Sequence, residues 1–198
     1  MTTAYFIGDS FLYGIPPGYA VAMSARLGWT PTVDGLGGTG WLAPGSFGAA
    51  GPYLARLPAC IAANPDVVMV QGGSNDASFT VPQVQAALAT FFAALRVGLP
   101  TVTLYVSSAW WTPQLYHDAI VAACAAAGGT FLDTGGTYGN ARTGPVWLTG
   151  TGNAGAPAGD GNRDVYMAGT APHLTAAGYA YLGTRLAFAI RPPNTGLA

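Results

Sequence analysis

Gly8-Asp9-Ser10-Phe11-Leu12 follows directly on the apolar run Tyr5-Phe6-Ile7. That order places a serine at the carboxyl end of a first β-strand. Ligands of open α/β sheets bind outside the carboxyl ends of strands, so a hydroxyl there is placed to attack a substrate. Acyl transfer by serine also needs a base, a group that orients the base, and donors for the developing oxyanion. Three other fragments could supply those parts: Gly37-Gly38-Thr39-Gly40, Gly73-Ser74-Asn75-Asp76 and His173. Gly38 sits in a glycine-rich turn, where a backbone N–H can approach a substrate oxygen with no side chain in the way. Asn75 carries an amide that can donate. Each segment alone also reads as an ordinary turn. With the Ser10 turn, the Gly38 and Asn75 turns lie at the carboxyl ends of three successive strands and converge on one crevice. His117 lies within a helical stretch and reads as a surface or core residue, which leaves His173 as the candidate base.

The elements that must position these residues are legible as strand-like and helix-like stretches in alternation. Strands are expected near 4–8, 31–34, 66–71, 101–107 and 129–133. Helices are expected near 18–28, 52–63, 82–97, 113–127 and 174–190. Val67-Val68-Met69-Val70 and Val102-Thr103-Leu104-Tyr105-Val106 are near-continuous apolar runs. Such runs fit parallel strands buried on both faces. Strand and helix alternating five times is a βαβ pattern. Right-handed crossovers place the first and last of these helices on one face and the middle three on the other. Thr80-Val81-Pro82 offers an N-cap with a proline in the first turn, and Thr175 offers another. Gly98 and Gly128-Gly129 read as helix stops. Residues 134–170 break the pattern with a long Gly/Thr/Pro/Asn-rich stretch, a length that is usually functional or disordered. Tyr138, Arg142, Trp147 and Tyr166 within it speak against simple disorder.

The composition bounds the remaining choices. A chain of 198 residues suffices for one well-buried domain. Residues 1–191 read as that domain and 192–198 as a linker-like tail. The tail mildly favours a place within a larger polypeptide; with the Ala/Gly-rich bias of a high-GC coding sequence it would suit a domain of an actinobacterial enzyme or of a phage-tail or cell-wall-acting protein. Charged residues make up 8% of the chain, with no lysine or glutamate, and the net charge is −1. This argues against a nucleic-acid partner, which needs clustered Lys and Arg. No apolar run approaches the roughly 18 residues of a membrane span, and no signal peptide is evident. Cys60 and Cys124 fall on helices separated by a third and read as small buried hydrophobes.

Taken together, these fragments resemble the SGNH hydrolase superfamily, also called the GDSL esterase/lipase family, over almost the whole chain. The first block, Gly8-Asp9-Ser10-Phe11-Leu12, carries the family's nucleophile onto Ser10. The second, Gly35-Leu36-Gly37-Gly38-Thr39, maps the oxyanion glycine to Gly38. The third, Gly73-Ser74-Asn75-Asp76, gives Asn75 the other oxyanion-donor role. The fifth, Asp-x-x-His, reads Thr170-Ala171-Pro172-His173, with threonine in place of aspartate. The resemblance implies a three-layer α/β/α flavodoxin-like sandwich with a five-stranded parallel sheet in the order 2-1-3-4-5. It also implies a serine esterase working through an acyl-enzyme, with Ser10, Gly38, Asn75 and His173 as catalytic residues and neither cofactor nor metal.

The missing acid leaves three arrangements open. Thr170 or a backbone carbonyl could hold the ring in a Ser–His dyad. Asp160 or Asp164 could fold back to supply the charge. Or the site could be impaired, leaving a glycan-binding module on a hydrolase fold. In a serine-protease triad, loss of the aspartate costs roughly 10⁴ in kcat. Trp41, Trp110-Trp111 and Trp147 lie near the carboxyl ends of strands. They either pave a sugar-stacking or acyl-lining surface or close the core. The first option favours short-chain O-acyl groups on a carbohydrate, with a lipid ester as the enzymatic alternative.

Overall fold

In the computed structural model, residues 1–13, 18–45, 51–134, 147–169 and 173–191 are described. Their strands are β1 (Thr2–Gly8), β2 (Trp29–Gly35), β3 (Val67–Gly72), β4 (Thr103–Ser108) and β5 (Thr130–Phe131). The helices are α1 (Ser10–Tyr13), α2 (Tyr19–Leu27), α3 (Tyr53–Ala63), α4 (Val81–Gly98), α5 (Gln114–Ala126), α6 (Arg163–Tyr166) and α7 (Ala176–Ile190). The five strands form one parallel sheet in the order β2-β1-β3-β4-β5, as expected.

Burial on both faces explains the continuous apolar runs. Phe6 and Met69 point into one core layer with Tyr19 and Met23 of α2 and Tyr179, Leu182 and Leu186 of α7. Ile7, Val68, Val70 and Val106 point into the other with Leu57 of α3, Leu88, Phe91 and Leu95 of α4, and Ile120 of α5. The first and last long helices thus share a face. Cys60 and Cys124 are buried, unbridged, and carried by α3 and α5 with α4 packed between them. Pro31 is accommodated because β2 is an edge strand, where a missing N–H breaks no ladder.

The caps behave as the sequence suggests. Thr80 Oγ1 accepts the Gln83 N–H while Gln83 Oε1 accepts the Thr80 N–H, a reciprocal capping box. Thr175 Oγ1 accepts the Gly178 N–H at 3.0 Å and starts α7. Two expectations change. The last strand spans only two residues, because just Thr130 and Phe131 find partners on β4 before the chain turns away. And the described part of the long stretch, residues 147–169, is folded onto itself around the short helix α6. The tail 192–198 lies outside the described residues.

Candidate active site

Two of the predicted residues meet across the length of the chain. Ser10 begins α1 straight after β1 and Asp9, and its Oγ lies 3.0 Å from His173 Nε2. His173 is held from the other side by the 147–169 segment. Its carbonyl accepts the Ala168 N–H at 2.9 Å, its neighbour Leu174 bridges Met167, and Thr175 N–H bonds the Tyr166 carbonyl. The Phe11 ring packs 5.4 Å from the imidazole. A hydroxyl bonded to an imidazole nitrogen is the arrangement from which a proton can pass to the ring as the oxygen attacks.

Asn75 and the turn holding Gly38 form the next part. Asn75 Nδ2 donates to the Thr39 carbonyl at 2.9 Å, one residue beyond Gly38. The same nitrogen faces Asp9 Oδ2 at 3.4 Å. Gly38 has φ +73°, a left-handed value that suits glycine. Ser10, Gly38, Asn75 and His173 are all half-buried, whereas Asp9, Thr39 and Asp76 are fully buried. The four predicted site residues keep partial exposure, and the groups that fix them lie beneath.

That lower tier is what the sequence reading missed. Asp76 accepts three backbone N–H groups: Trp41 at 3.1 Å on Oδ2, and Leu42 and Ala43 at 2.9 and 3.0 Å on Oδ1. It thereby ties the loop after β2 to the residue next to Asn75. Gly40 is packed so tightly that a Cβ there would lie 2.5–2.6 Å from the Asp76 carboxylate oxygens. Asp9 Oδ1 accepts the Phe11 N–H at 2.9 Å. Burial pushes the Asp9 carboxyl up from 3.8 to about 7; the Asp76 charge adds to the rise, and the Phe11 N–H opposes it. Arg56, buried on α3, donates to the Gly8 carbonyl at 2.8 Å and pairs with Asp34 at 2.8 Å, bracing the serine turn against β2. A signal for Arg56 was present: Tyr53, Arg56, Leu57 and Cys60 recur at helical spacing, and all four are buried.

Several expectations are corrected. Asp160 and Asp164 do not fold back on the histidine. Asp160 accepts the Thr151 N–H and hydroxyl, which holds its carboxyl below the usual range. Asp164 accepts the Ala158 and Gly159 N–H groups at 3.0 and 2.6 Å. Both carboxylates stitch their own loop, whose many small residues leave N–H groups in need of acceptors. Among the described residues, Ser10 is the hydrogen-bond partner of the His173 ring; Thr170 lies outside them. Trp41 and Trp110 close the core rather than pave a surface. Trp41 stacks edge-on to Tyr53 and Phe91, and Trp110 packs on Phe11. Trp147 is also buried, and Trp111 is half-buried. His117 is a core residue, with Nδ1 2.8 Å from the Ser108 hydroxyl and its ring against Phe131. Among the described residues, no helix is long and apolar enough to cross a membrane.

Comparison with known proteins agrees with this architecture. No curated protein matches the sequence. A carbohydrate esterase family 2 enzyme with a carbohydrate-binding domain, from Corynascus thermopiles (Myceliophthora fergusii), superposes with a TM-score of 0.65 at 18% identity, over 96% of this chain and 65% of that one. A carbohydrate acetylesterase from Sinorhizobium meliloti gives 0.64 at 15% identity, over 96% and 98%. An aryl esterase from M. smegmatis gives 0.63 at 18% identity, over 96% and 99%. Likenesses at this identity establish the fold. The sequence profile of the GDSL-like Lipase/Acylhydrolase family goes further, matching residues 6–181 and so spanning both Ser10 and His173. With the sheet order, the serine turn and the profile in agreement over the same residues, the chain belongs to the GDSL-like lipase/acylhydrolase family and is an esterase-type hydrolase by membership.

Proposed function

We propose that this protein is a serine esterase that removes short-chain O-acyl groups, O-acetyl foremost, from a carbohydrate through an acyl-enzyme. The observation that carries the reading is the 3.0 Å contact between Ser10 Oγ and His173 Nε2, made across 163 residues of sequence. Ser10 attacks the ester carbonyl while His173 takes its proton. The Ser10 and Gly38 N–H groups and the Asn75 amide hold the oxyanion. The tetrahedral intermediate collapses with expulsion of the sugar hydroxyl, protonated by the imidazolium. A water molecule, deprotonated in turn by His173, then releases the acyl group as carboxylic acid. Similarity to a carbohydrate esterase and a carbohydrate acetylesterase supports the sugar ester as substrate class; the buried Trp41 and Trp110 lend that class no support.

The test compares p-nitrophenyl acetate, butyrate and octanoate, and acetylated xylan, with the parent chain, Ser10→Ala, His173→Ala and Thr170→Asp. Acetate hydrolysis that is lost in the first two variants and falls with chain length is expected, together with release of acetate from the glycan. A preference for octanoate would move the substrate to lipid esters. Glycan binding without turnover in the parent, with turnover only in Thr170→Asp, would replace the enzyme by a binding module.

A further inference from the structure

The Asp9 carboxylate stands between the serine turn and the Asn75 amide. A primary amide has two hydrogens to give. One goes to the Thr39 carbonyl at 2.9 Å. The other faces Asp9 Oδ2 at 3.4 Å, longer than the roughly 2.7–2.9 Å of a full charge-assisted bond. So long a contact holds the second hydrogen weakly, and a substrate oxygen can share it. The torsion that turns an amide about its Cβ–Cγ bond is broad and soft. One anchor leaves the plane free to swing; two anchors fix it. The other Asp9 oxygen accepts the Phe11 N–H inside the turn that presents Ser10.

We propose that Asp9 is a positioning residue: its buried carboxylate orients the Asn75 amide toward the oxyanion and links that orientation to the turn carrying Ser10. The inference rests on the oxyanion role given to Asn75 above and adds what holds that donor in place. The groups facing Asp9 are the Asp76 carboxylate, the Arg56 guanidinium, and the hydroxyls of Tyr19, Tyr53 and Tyr179 from α2, α3 and α7. Burial and the Asp76 charge keep Asp9 protonated until about pH 7. The hold on Asn75 therefore strengthens as pH rises through neutrality and Asp9 becomes a charged acceptor.

The experiment follows the Asn75 side-chain N–H₂ resonances of ¹⁵N-labelled protein from pH 5 to 9, assigned by their loss in Asn75→Asp. It uses the parent, His173→Gln and Asp9→Asn. The expected result is a shift with a midpoint near pH 7 that persists in His173→Gln and disappears in Asp9→Asn. In parallel, kcat of Asp9→Asn for p-nitrophenyl acetate should fall about tenfold with KM within about twofold, less than the 10²–10³ that follows outright removal of an oxyanion donor. An Asn75 signal that stops titrating in His173→Gln would overturn the proposal, and so would parental kcat in Asp9→Asn. If Asp9→Asn does not fold, the His173→Gln titration decides alone. The resonance needs no turnover. An inactive parent with a titrating Asn75 would therefore undo the esterase reading and leave the Asp9–Asn75 link standing.

Discussion

Replacing Asp76 with asparagine tests whether the buried carboxylate holds the loop after β2. Asparagine has nearly the same shape. Its remaining oxygen can keep the two bonds that Oδ1 accepts, from Leu42 and Ala43. Its NH₂ group then faces the Trp41 N–H, donor against donor, where a 3.1 Å bond stood. Losing one buried bond to a charged acceptor and stranding its donor costs about 3 kcal/mol. For a domain of this size that is about 6–12 °C in Tm. The deficit should depend on pH in a definite sense. Near pH 8 Asp9 is ionised and is repelled by Asp76, so removing the Asp76 charge returns part of the cost. Near pH 5.5 Asp9 is protonated, no such relief exists, and the deficit is larger. Calorimetric melts of parent and variant at both pH values measure this. Hydrolysis of p-nitrophenyl acetate at 25 °C should fall with the stability, because the same loop carries Gly38 and Thr39. A Tm within about 2 °C of the parent at both pH values would refute the reasoning, since a change that small is worth at most about 1 kcal/mol, a third of the expected cost.

Three other outcomes are expected. The stability of the parent relative to Asp9→Asn should fall by about 3 kcal/mol as pH rises from 4 to 7 and level off above about pH 8. In that window the unfolded Asp9 ionises while the native one, at about 7, keeps its proton; urea unfolding at four pH values gives the difference, and a flat profile would exclude a raised Asp9. Burial pushes the Cys60 and Cys124 thiols up to about 12 and about 11, so neither should react with Ellman's reagent at pH 8 until guanidinium unfolds the chain and two thiols appear. Asp160→Ala and Asp164→Ala should each retain at least about a tenth of the parental kcat, because these carboxylates bind loop N–H groups; a loss approaching the roughly 10⁴ of a triad aspartate would show that one of them serves His173.

The sheet was readable from the sequence because its strands are buried on both faces. Val67–Val70 and Tyr5–Ile7 have no polar alternation to blur them, and Thr80, Thr175 and Gly128 mark helix ends by their own local chemistry. The segments holding Ser10, Gly38 and Asn75 were readable because each follows the end of a strand, which fixes its place once the sheet order is known; His173 was readable because it precedes the start of α7. What a side chain meets after the chain leaves an element was not readable. Trp41 follows a glycine turn, and nothing local says whether that turn aims it at solvent or, as it does, between α3 and α4. Asp160 and Asp164 are defined by the path of a loop whose small residues carry no periodicity. Asp9 and Asp76 were visible as letters within their motifs. Their work lies in what they hold: Asp76 collects N–H groups from the loop after β2, and Asp9 meets the Asn75 amide 66 residues away.

The hydroxyl and the imidazole of the candidate site come together from positions 163 residues apart, and this has a bearing on how the site is assembled. The serine turn is complete once β1, β2 and β3 have paired. The histidine arrives only when α7 docks against α2, with its leading residues clipped to α6. Contacts this distant in sequence are slow to close, because the intervening chain must be ordered first. Activity during refolding should therefore lag behind formation of the sheet and report the arrival of the final helix. Under the proposed mechanism, a ribosome-bound chain that has emerged only as far as β5 would carry Ser10 with no His173 to take its proton.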